Sequence, residues 1–147
     1  MLGSRRAREL QAARDRNIQV VAENVRQYVA GAPKTYPDGT PFPAPVAVEA
    51  LGRTAVQISE IDHPDRAAII GRLHWMMALF REVAETEPTT DTVQAFFETR
   101  MWLQKHGFAE ANGVVVQAGL DLMKFWEQNG AQDRMIKAAM NLPGQGQ

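Results

Sequence analysis

The sequence predicts an all-α fold: a single-domain bundle of five to six helices with a long N-terminal helix and a proline-rich connector. Apolar residues recur every three or four positions along most of the chain, proline and glycine separate these stretches, and 147 residues suit one domain with one core. We expect four parts, namely an N-terminal amphipathic helix with a basic start at 1–32, the connector at 33–45, the bundle core at 46–141 and a flexible tail at 142–147.

The first helix is predicted at residues 4–32 and ends at Gly31 and Pro33. Alternating gaps of three and four residues place its apolar side chains on one stripe, which consists of Ile18, Val21, Val25, Tyr28 and Ala32. Between Arg5 and Asn17, Leu10 is the only large apolar residue. We therefore expect the first half of this helix to project from the bundle.

The connector at 33–45 contains five prolines and a turn at 37–39, so it is predicted to be extended and not helical. Two interpretations apply to it. A proline-rich segment can be a ligand for an aromatic-lined groove of another protein. We favour the other interpretation, in which the connector crosses its own bundle and is held there by Tyr36 and Phe42.

The second helix is predicted at 46–61 and the third at 64–87. Pro64 suits the first position of a helix, with Asp62 or His63 as the cap and Asp65 complementing the positive helix end. On the third helix the apolar side chains cover more than half of the circumference. That helix is therefore expected to lie at the centre of the bundle.

The fourth helix is predicted to begin around Thr89 and to end at His106, where Gly107 and Phe108 resemble a left-handed helix terminator with its apolar follower. The fifth helix follows, up to Gln128, and a short last helix is predicted at 131–140. The tight turn makes the fourth and fifth helices an antiparallel hairpin. On the fourth helix we expect one stripe to face the core, composed of Val93, Phe96, Phe97, Met101 and Leu103.

The bulk composition narrows the classes of function. A net charge of −1 argues against a protein whose whole surface binds polyanions, and the lack of cysteine excludes disulfides, thiolate zinc sites and cysteine nucleophiles. No apolar run reaches the length of a membrane span, and no signal peptide is visible at the start. We expect a cytoplasmic protein that does not enter a membrane.

The strongest candidate for metal or acid–base chemistry is the corner between the second and third helices. Three carboxylates and an imidazole fall within six residues there, at Glu60, Asp62, His63 and Asp65. Such a set could hold a hard divalent ion. Capping and charge matching at a helix start explain the same residues, however, so we predict neither metal nor cofactor. The two serines are not placed to form a hydrolytic triad, and we expect no catalytic residues.

The wide apolar arcs predict contacts with other proteins. Trp102 is expected on the face of the fourth helix that the stripe does not use, where either a partner protein or another helix of the same chain could cover it; tryptophan is favoured in protein interfaces. Trp75 and Leu79 flank the apolar line of the third helix and are the other predicted interface residues. Our leading hypothesis is a non-catalytic helical subunit that binds other proteins or copies of itself in a larger complex.

The alternative hypothesis is based on the arginines of the chain. Residues 1–33 carry six basic and three acidic groups, and Arg5, Arg6, Arg8 and Arg16 could contact a phosphate backbone. An ordinary solvated helix face, with pairs such as Arg5 and Glu9, is the interpretation that we favour for them. Arg100 lies within the apolar stripe of the fourth helix, so it needs an acidic partner, an exposed position for its guanidinium, or a bound anion. The alternative is a nucleic-acid-proximal subunit of a viral packaging or RNA-guided effector complex. A carboxylate and histidine metal enzyme is the third hypothesis.

Overall fold

The computed structural model of the chain describes residues 2–130 and Met140, and these form an all-α bundle, as predicted. The order is α1 (Leu2–Gly31), α2 (Ala44–Ser59), α3 (Arg66–Glu82), a 3₁₀ turn (Val83–Glu85), α4 (Thr90–Lys105) and α5 (Ala109–Gln128). The predicted last helix and tail lie outside the described residues, except for the helical Met140. Within the described part, no helix is both long and apolar enough to cross a membrane.

The core lies between α2, α3 and α5, whose apolar arcs face one another. The helix predicted to be central, α3, buries both the line of residues along its middle and their neighbours on either side. By contrast, α4 buries only Thr99 and Leu103. The largest completely enclosed side chains include Leu51 and Ile58 of α2, Leu73, Met76 and Phe80 of α3, and Leu122 and Trp126 of α5.

Only the second half of α1 packs on the bundle. Val25, Tyr28 and Val29 lie against the core, and Gly52 of α2 lets α1 approach closely, since a Cβ atom there would lie 2.6 Å from Cγ2 of Val25. Residues 4–12 are all exposed. The long N-terminal helix therefore extends beyond the bundle, as its lack of large apolar side chains predicts.

The connector packs against its own bundle. A backbone turn is closed by the amide of Tyr36, which donates to the carbonyl of Thr40 at 2.8 Å. The side chains of Tyr36 and Phe42 are buried, and Phe42 stacks on Phe80 and meets Phe125 edge-on. The interpretation of this segment as a packed connector is confirmed.

The predicted boundaries of α3 are wrong by a few residues at both ends. The helix begins at Arg66 and not at Pro64, because Nδ1 of His63 accepts a hydrogen bond from the amide of Asp65 and holds residues 63–65 in a turn. At the other end, a 3₁₀ turn replaces the last helical turn. The α-helix therefore ends several residues before Pro88, the residue that marks its end in the sequence.

The hairpin of α4 and α5 forms as predicted. Thr89 caps α4, and its hydroxyl accepts a hydrogen bond from the amide of Thr92. Gly107 adopts a φ of 84°, and the amide of Phe108 donates to the carbonyl of Leu103 at 2.8 Å. This is the left-handed helix end that the sequence indicates. Because α4 contacts chiefly α5, α4 lies at the flank of the bundle, and α5 joins it to the core.

Candidate protein-docking surface

The outer side of the hairpin carries a set of exposed apolar side chains, which we term the α4–α5 face. Phe97 is 58% exposed and Leu120 59% exposed, although both are large and apolar. The exposed apolar residues are four positions apart on α4 and three apart on α5, so those of each helix lie on one side of it. The face consists of Val93, Phe97 and Met101 of α4 and Leu120 and Met123 of α5.

A groove of about 280 Å³ runs between the two helices along this face. Gly119 faces the ring of Phe96 at the base of the groove, and a Cβ atom there would make ordinary contact with that ring, 3.4 Å from Cδ1. The walls of the groove are formed mainly by Val93, Phe97, Val116 and Leu120. The face is therefore a grooved, largely apolar surface.

The orientation of α4 is the main correction to the sequence analysis. Of the stripe that was expected to face the core, Val93, Phe97 and Met101 point to solvent, whereas Phe96 packs against the core and Leu103 is buried, both as predicted. Trp102, expected on the outside, packs inward. The prediction was wrong because both sides of this helix carry large apolar residues, so periodicity alone did not distinguish them.

Arg100 lies at one end of the groove with its side chain exposed. Its Nε donates a long hydrogen bond of 3.4 Å to Oδ1 of Asn112, near the start of α5. Among the described residues it has no acidic partner. Of the three predicted possibilities, this arrangement matches an exposed guanidinium on an apolar stem. Glu127 is exposed near the other end of α5.

The three predicted interface residues pack within the chain and do not form the exposed face. Leu79 is buried in the core. Trp75 is partly buried, with its ring edge-on to Phe96 at a centroid distance of 5.7 Å. Trp102 is partly buried as well. Exposed large apolar side chains therefore lie on the α4–α5 face, and outside it at Leu10, Ile18, Val20 and Val46, but not at these three residues.

Trp102 belongs to an aromatic cluster that joins the end of α4 to the turn before α3. Its indole Nε1 donates a hydrogen bond of 3.0 Å to Oδ2 of Asp65. Its ring lies 4.3 Å from that of His106 and 5.2 Å from that of His63, and it stacks on Phe108 at 6.1 Å. The cluster fixes the rotation of α4 about its own axis.

The acidic corner has a structural role in this fold. Asp65 accepts the hydrogen bond from Trp102, His63 holds the turn before α3, and Glu60 lies 3.9 Å from Arg14 of α1. Asp62 is exposed. Across residues 2–130 and 140, no three His, Asp or Glu side chains are arranged to hold a metal ion. The residues lie at a helix start, as interpreted, but the predicted cap at Asp62 or His63 is wrong: Asp65 occupies the N-cap position of α3, and its side chain makes no capping hydrogen bond.

The N-terminal arginines lie on the projecting part of α1. Arg5 pairs with Glu9 at 3.4 Å, and the remaining three, Arg6, Arg8 and Arg16, are exposed. Helix α1 does not contact α4, so these arginines and Arg100 belong to separate surfaces. The structure therefore does not combine the five predicted anion-binding residues into one site.

A second cavity, of about 350 Å³, lies between α1, α2 and α3, and we term it the polar cavity. Asn17, Ser59, Arg66 and His74 contribute its polar groups. Burial lowers the pKa of His74. The sequence analysis did not identify this cavity, because its polar residues come from three helices and their convergence depends on how those helices pack.

The sequence analysis also missed a buried carboxylate on α5. Asp121 is 8% exposed, and burial raises its pKa, while the amide of Gln117 donates to it at 2.9 Å and acts in the opposite direction. Its burial could have been predicted from the sequence, because Asp121 lies one residue before Leu122, within the apolar arc of α5. The side chain is held by its own helix and lies away from the α4–α5 face.

Comparison of the chain with protein-family models, curated proteins and solved structures finds no match. The residues and their geometry are therefore the basis for a functional proposal.

Proposed function

We propose that this chain is a non-catalytic helical subunit that mediates protein–protein assembly, and that the α4–α5 face is its docking surface. The observation that carries the proposal is the contiguous exposure of five large apolar side chains on a bundle that has a complete core elsewhere. Single exposed apolar residues are ordinary on protein surfaces. A contiguous apolar patch of several hundred Å² is typical of an interaction site.

The energetics support a docking role. Each Å² of apolar surface removed from water contributes roughly 25 cal/mol. Phe97 lies at the centre of the face, with Val93 and Met101 one turn away on either side. Aromatic side chains near the centre of an interface commonly dominate its binding energy. We therefore assign the anchoring role to Phe97.

The shape of the face favours a helical partner. Two antiparallel helices with a groove between them offer ridges and grooves into which the side chains of another helix can pack, with the helix axes about 8–10 Å apart. Arg100 at one end gives the face a single polar orientation point. We place this assembly in the cytoplasm, because a chain without cysteine suits a reducing compartment.

Methionine oxidation tests the proposal without knowledge of the partner. Met101 and Met123 lie on the face and are 49% and 38% exposed, whereas Met76 and Met77 are completely buried and Met140 is 65% exposed. Hydroxyl-radical footprinting would be performed on an extract of cells that express the protein, with mass spectrometry of the peptides. We expect Met101 and Met123 to oxidise nearly as slowly as the two buried methionines, and Met140 to oxidise rapidly.

The test variant is Phe97→Asp, which places a charge at the centre of the face. The matched control is Val46→Asp, at an exposed position of α2 away from the face. Phe97→Asp should restore rapid oxidation of Met101 and Met123, and Val46→Asp should leave them protected. If both methionines oxidise in the wild-type extract at the rate expected from their exposure, the face is free and the proposal is wrong.

A second candidate function rests on a different surface. The projecting part of α1 carries Arg5, Arg6, Arg8 and Arg16 on a helix that is fully exposed from residue 4 to residue 12. A nucleic-acid-proximal subunit could lay this helix along a phosphate backbone. Replacing the four arginines by glutamine should then weaken binding to a DNA or RNA duplex and flatten its salt dependence. Arg53→Gln, on α2, is the matched control, and unchanged binding in the fourfold variant rules this function out.

A further inference from the structure

A groove between α2 and α5 lies apart from the surfaces described so far, and we term it the α2–α5 groove. It has a volume of about 510 Å³ and uses a different side of α5 from the α4–α5 face. Its walls are chiefly apolar, and they include Pro43, Val46 and Ala47 at the start of α2 and Val114 and Ala118 of α5. Most of this groove therefore suits a hydrocarbon chain.

The buried carboxylate of Asp121 lines this groove. The side-chain amide of Gln117 donates a hydrogen bond of 2.9 Å to Oδ1 of Asp121, while Oδ2 accepts no hydrogen bond from the part of the chain that the structure describes. In that part, every side-chain nitrogen or oxygen that is sealed from solvent has a hydrogen-bond partner. The free oxygen of Asp121 therefore opens onto the groove, although the residue as a whole is only 8% exposed.

Asp121 lacks a cationic partner. Across residues 2–130 and 140 it forms no ion pair. Lys124, one turn later on α5, places its Nζ over the ring of Tyr36 instead, 4.5 Å from the centroid. Burial raises the pKa of Asp121, against the opposing effects of the Gln117 amide and the Lys124 charge. Because a buried carboxylate without a cation is unfavourable, this end of the groove is complementary to a positive charge.

The groove has a second carboxylate at its other end. Among the described residues that line it, the charged ones are Glu110 and Asp121, and none is basic. Both belong to α5 and are eleven positions apart, so about 16 Å separates them along the helix axis. The groove therefore presents a negative charge near each end and apolar walls between them.

We propose that the α2–α5 groove binds a linear aliphatic diamine, with one ammonium group on Asp121, the hydrocarbon chain along the apolar walls and the other ammonium group at Glu110. The proposal adds a small-molecule site to the docking function and does not depend on it, because the groove and the α4–α5 face use different sides of α5. A pocket with mostly apolar walls and a few placed polar groups is typical of small-molecule sites.

The two ends of the groove contribute unequally to binding. The carboxylate of Asp121 is already buried in the free protein, so pairing it with an ammonium group does not add the cost of removing that carboxylate from water. Glu110 is exposed, and ion pairs at exposed positions contribute little. Asp121 is therefore the main anchor. Each methylene group that the apolar walls cover adds to the affinity.

The length of the diamine tests the span of the groove. Isothermal titration calorimetry of the purified protein at pH 7 would compare diaminobutane, diaminooctane and diaminododecane, which carry the same two charges. We expect diaminododecane to bind most tightly, and diaminobutane to bind at least about tenfold more weakly, because it covers little of the apolar walls and does not reach from Asp121 to Glu110. Equal affinities for the three compounds, or no binding of any, would overturn the proposal.

Asp121→Asn tests the anchor, because it removes the charge and keeps an oxygen that can accept the hydrogen bond of Gln117. It should weaken the binding of diaminododecane on the order of a hundredfold. Without the diamine it should melt no lower than the wild type, since the buried charge that it removes is unpaired. The matched control is Glu49→Gln, which removes one negative charge from another side of α2, where Glu49 pairs with Arg53. Equal affinities of the two variants contradict the proposal.

Gly113→Leu blocks the groove and leaves both carboxylates in place. Gly113 lines the groove, and a Cβ atom there would meet no atom within 4 Å, so the variant should fold. Its side chain would occupy the space between the two carboxylates and should weaken the binding of diaminododecane on the order of tenfold. Gly71→Leu, at an equally open position of α3, is the matched control and should bind as the wild type does. If the two variants bind equally well, the diamine does not lie in the groove and the proposal is wrong.

Discussion

The indole N–H of Trp102 donates a hydrogen bond of 3.0 Å to the carboxylate of Asp65, and this contact holds the Trp102 side of α4 toward the start of α3. Five residues separate Phe97 from Trp102, which corresponds to a rotation of about 140° around the helix. When Trp102 is directed to the start of α3, Phe97 must therefore point away from the bundle. Together with the buried Leu103 and the ring contact between Phe96 and Trp75, this contact holds α4 in the orientation that exposes the candidate docking surface.

Replacing Trp102 by phenylalanine should destabilise the fold modestly. The substitution keeps an aromatic ring near His106 but removes the hydrogen bond, whose contribution to stability is about 0.5–1 kcal/mol for a partly exposed pair. Thermal unfolding should shift down by about 2–4 °C. A double-mutant cycle with Asp65→Ala supplies the control, since the two losses should be less than additive if the side chains interact. Additive losses would show that the hydrogen bond contributes nothing.

The sequence predicts the elements well because their signals are local. The proline-rich connector, the cap at Thr89 and the left-handed end at Gly107 each depend on residues within a few positions of one another. Burial of Tyr36 and Phe42 follows in the same way, since they are the only large aromatic side chains of a segment that must cross the bundle. These features need no knowledge of distant contacts.

The site is harder to predict because it depends on the rotation of one helix. Phe97 and Trp102 lie on opposite sides of α4, and either side could have faced the core. The choice is made by Asp65 and His63, which are more than thirty residues earlier in the sequence. The sequence analysis assigned those two residues to a helix start, which was correct, but it did not anticipate that Trp102 would pack there.

Gly52 should not tolerate alanine. A Cβ atom at this position would lie 2.6 Å from Val25 and 3.3 Å from Val21, so α1 would have to move away from α2. Overpacking of this kind costs about 1–3 kcal/mol. Urea unfolding of Gly52→Ala should show this loss, and Val25→Ala in the same chain should relieve part of it.

The matched control is Gly71→Ala on α3, where no atom lies within 4 Å of the added methyl group. This change should stabilise the protein by up to about 1 kcal/mol through helix propensity alone. If Gly52→Ala were as stable as Gly71→Ala, the close approach of α1 and α2 at this point would be contradicted.

The polar cavity predicts a pH dependence of stability. Burial lowers the pKa of His74 below its ordinary value of 6.5, so the unfolded chain binds more protons than the folded chain just below that pH. The free energy of unfolding should therefore fall as the pH decreases from 7 through 6.5 toward the folded-state pKa. The guanidinium of Arg66 lines the same cavity.

A His74→Gln variant isolates this effect. Urea unfolding at pH 7, 6 and 5 should show a smaller loss of stability for the variant than for the wild type on the acidic side. All other titrating groups, including the buried Asp121, are common to the two proteins, so their contributions cancel in the difference. Parallel pH profiles would mean that His74 is protonated equally in the folded and unfolded chains.

The most direct test of the docking account is the native mass of the assembly. The wild type, Phe97→Asp and Val46→Asp would be isolated gently from expressing cells and weighed by native mass spectrometry. We predict that the wild type and Val46→Asp are found in a complex heavier than one chain, and that Phe97→Asp is found as a single folded chain. A single-chain mass for the wild type, or an unchanged complex for Phe97→Asp, would contradict the role of the α4–α5 face.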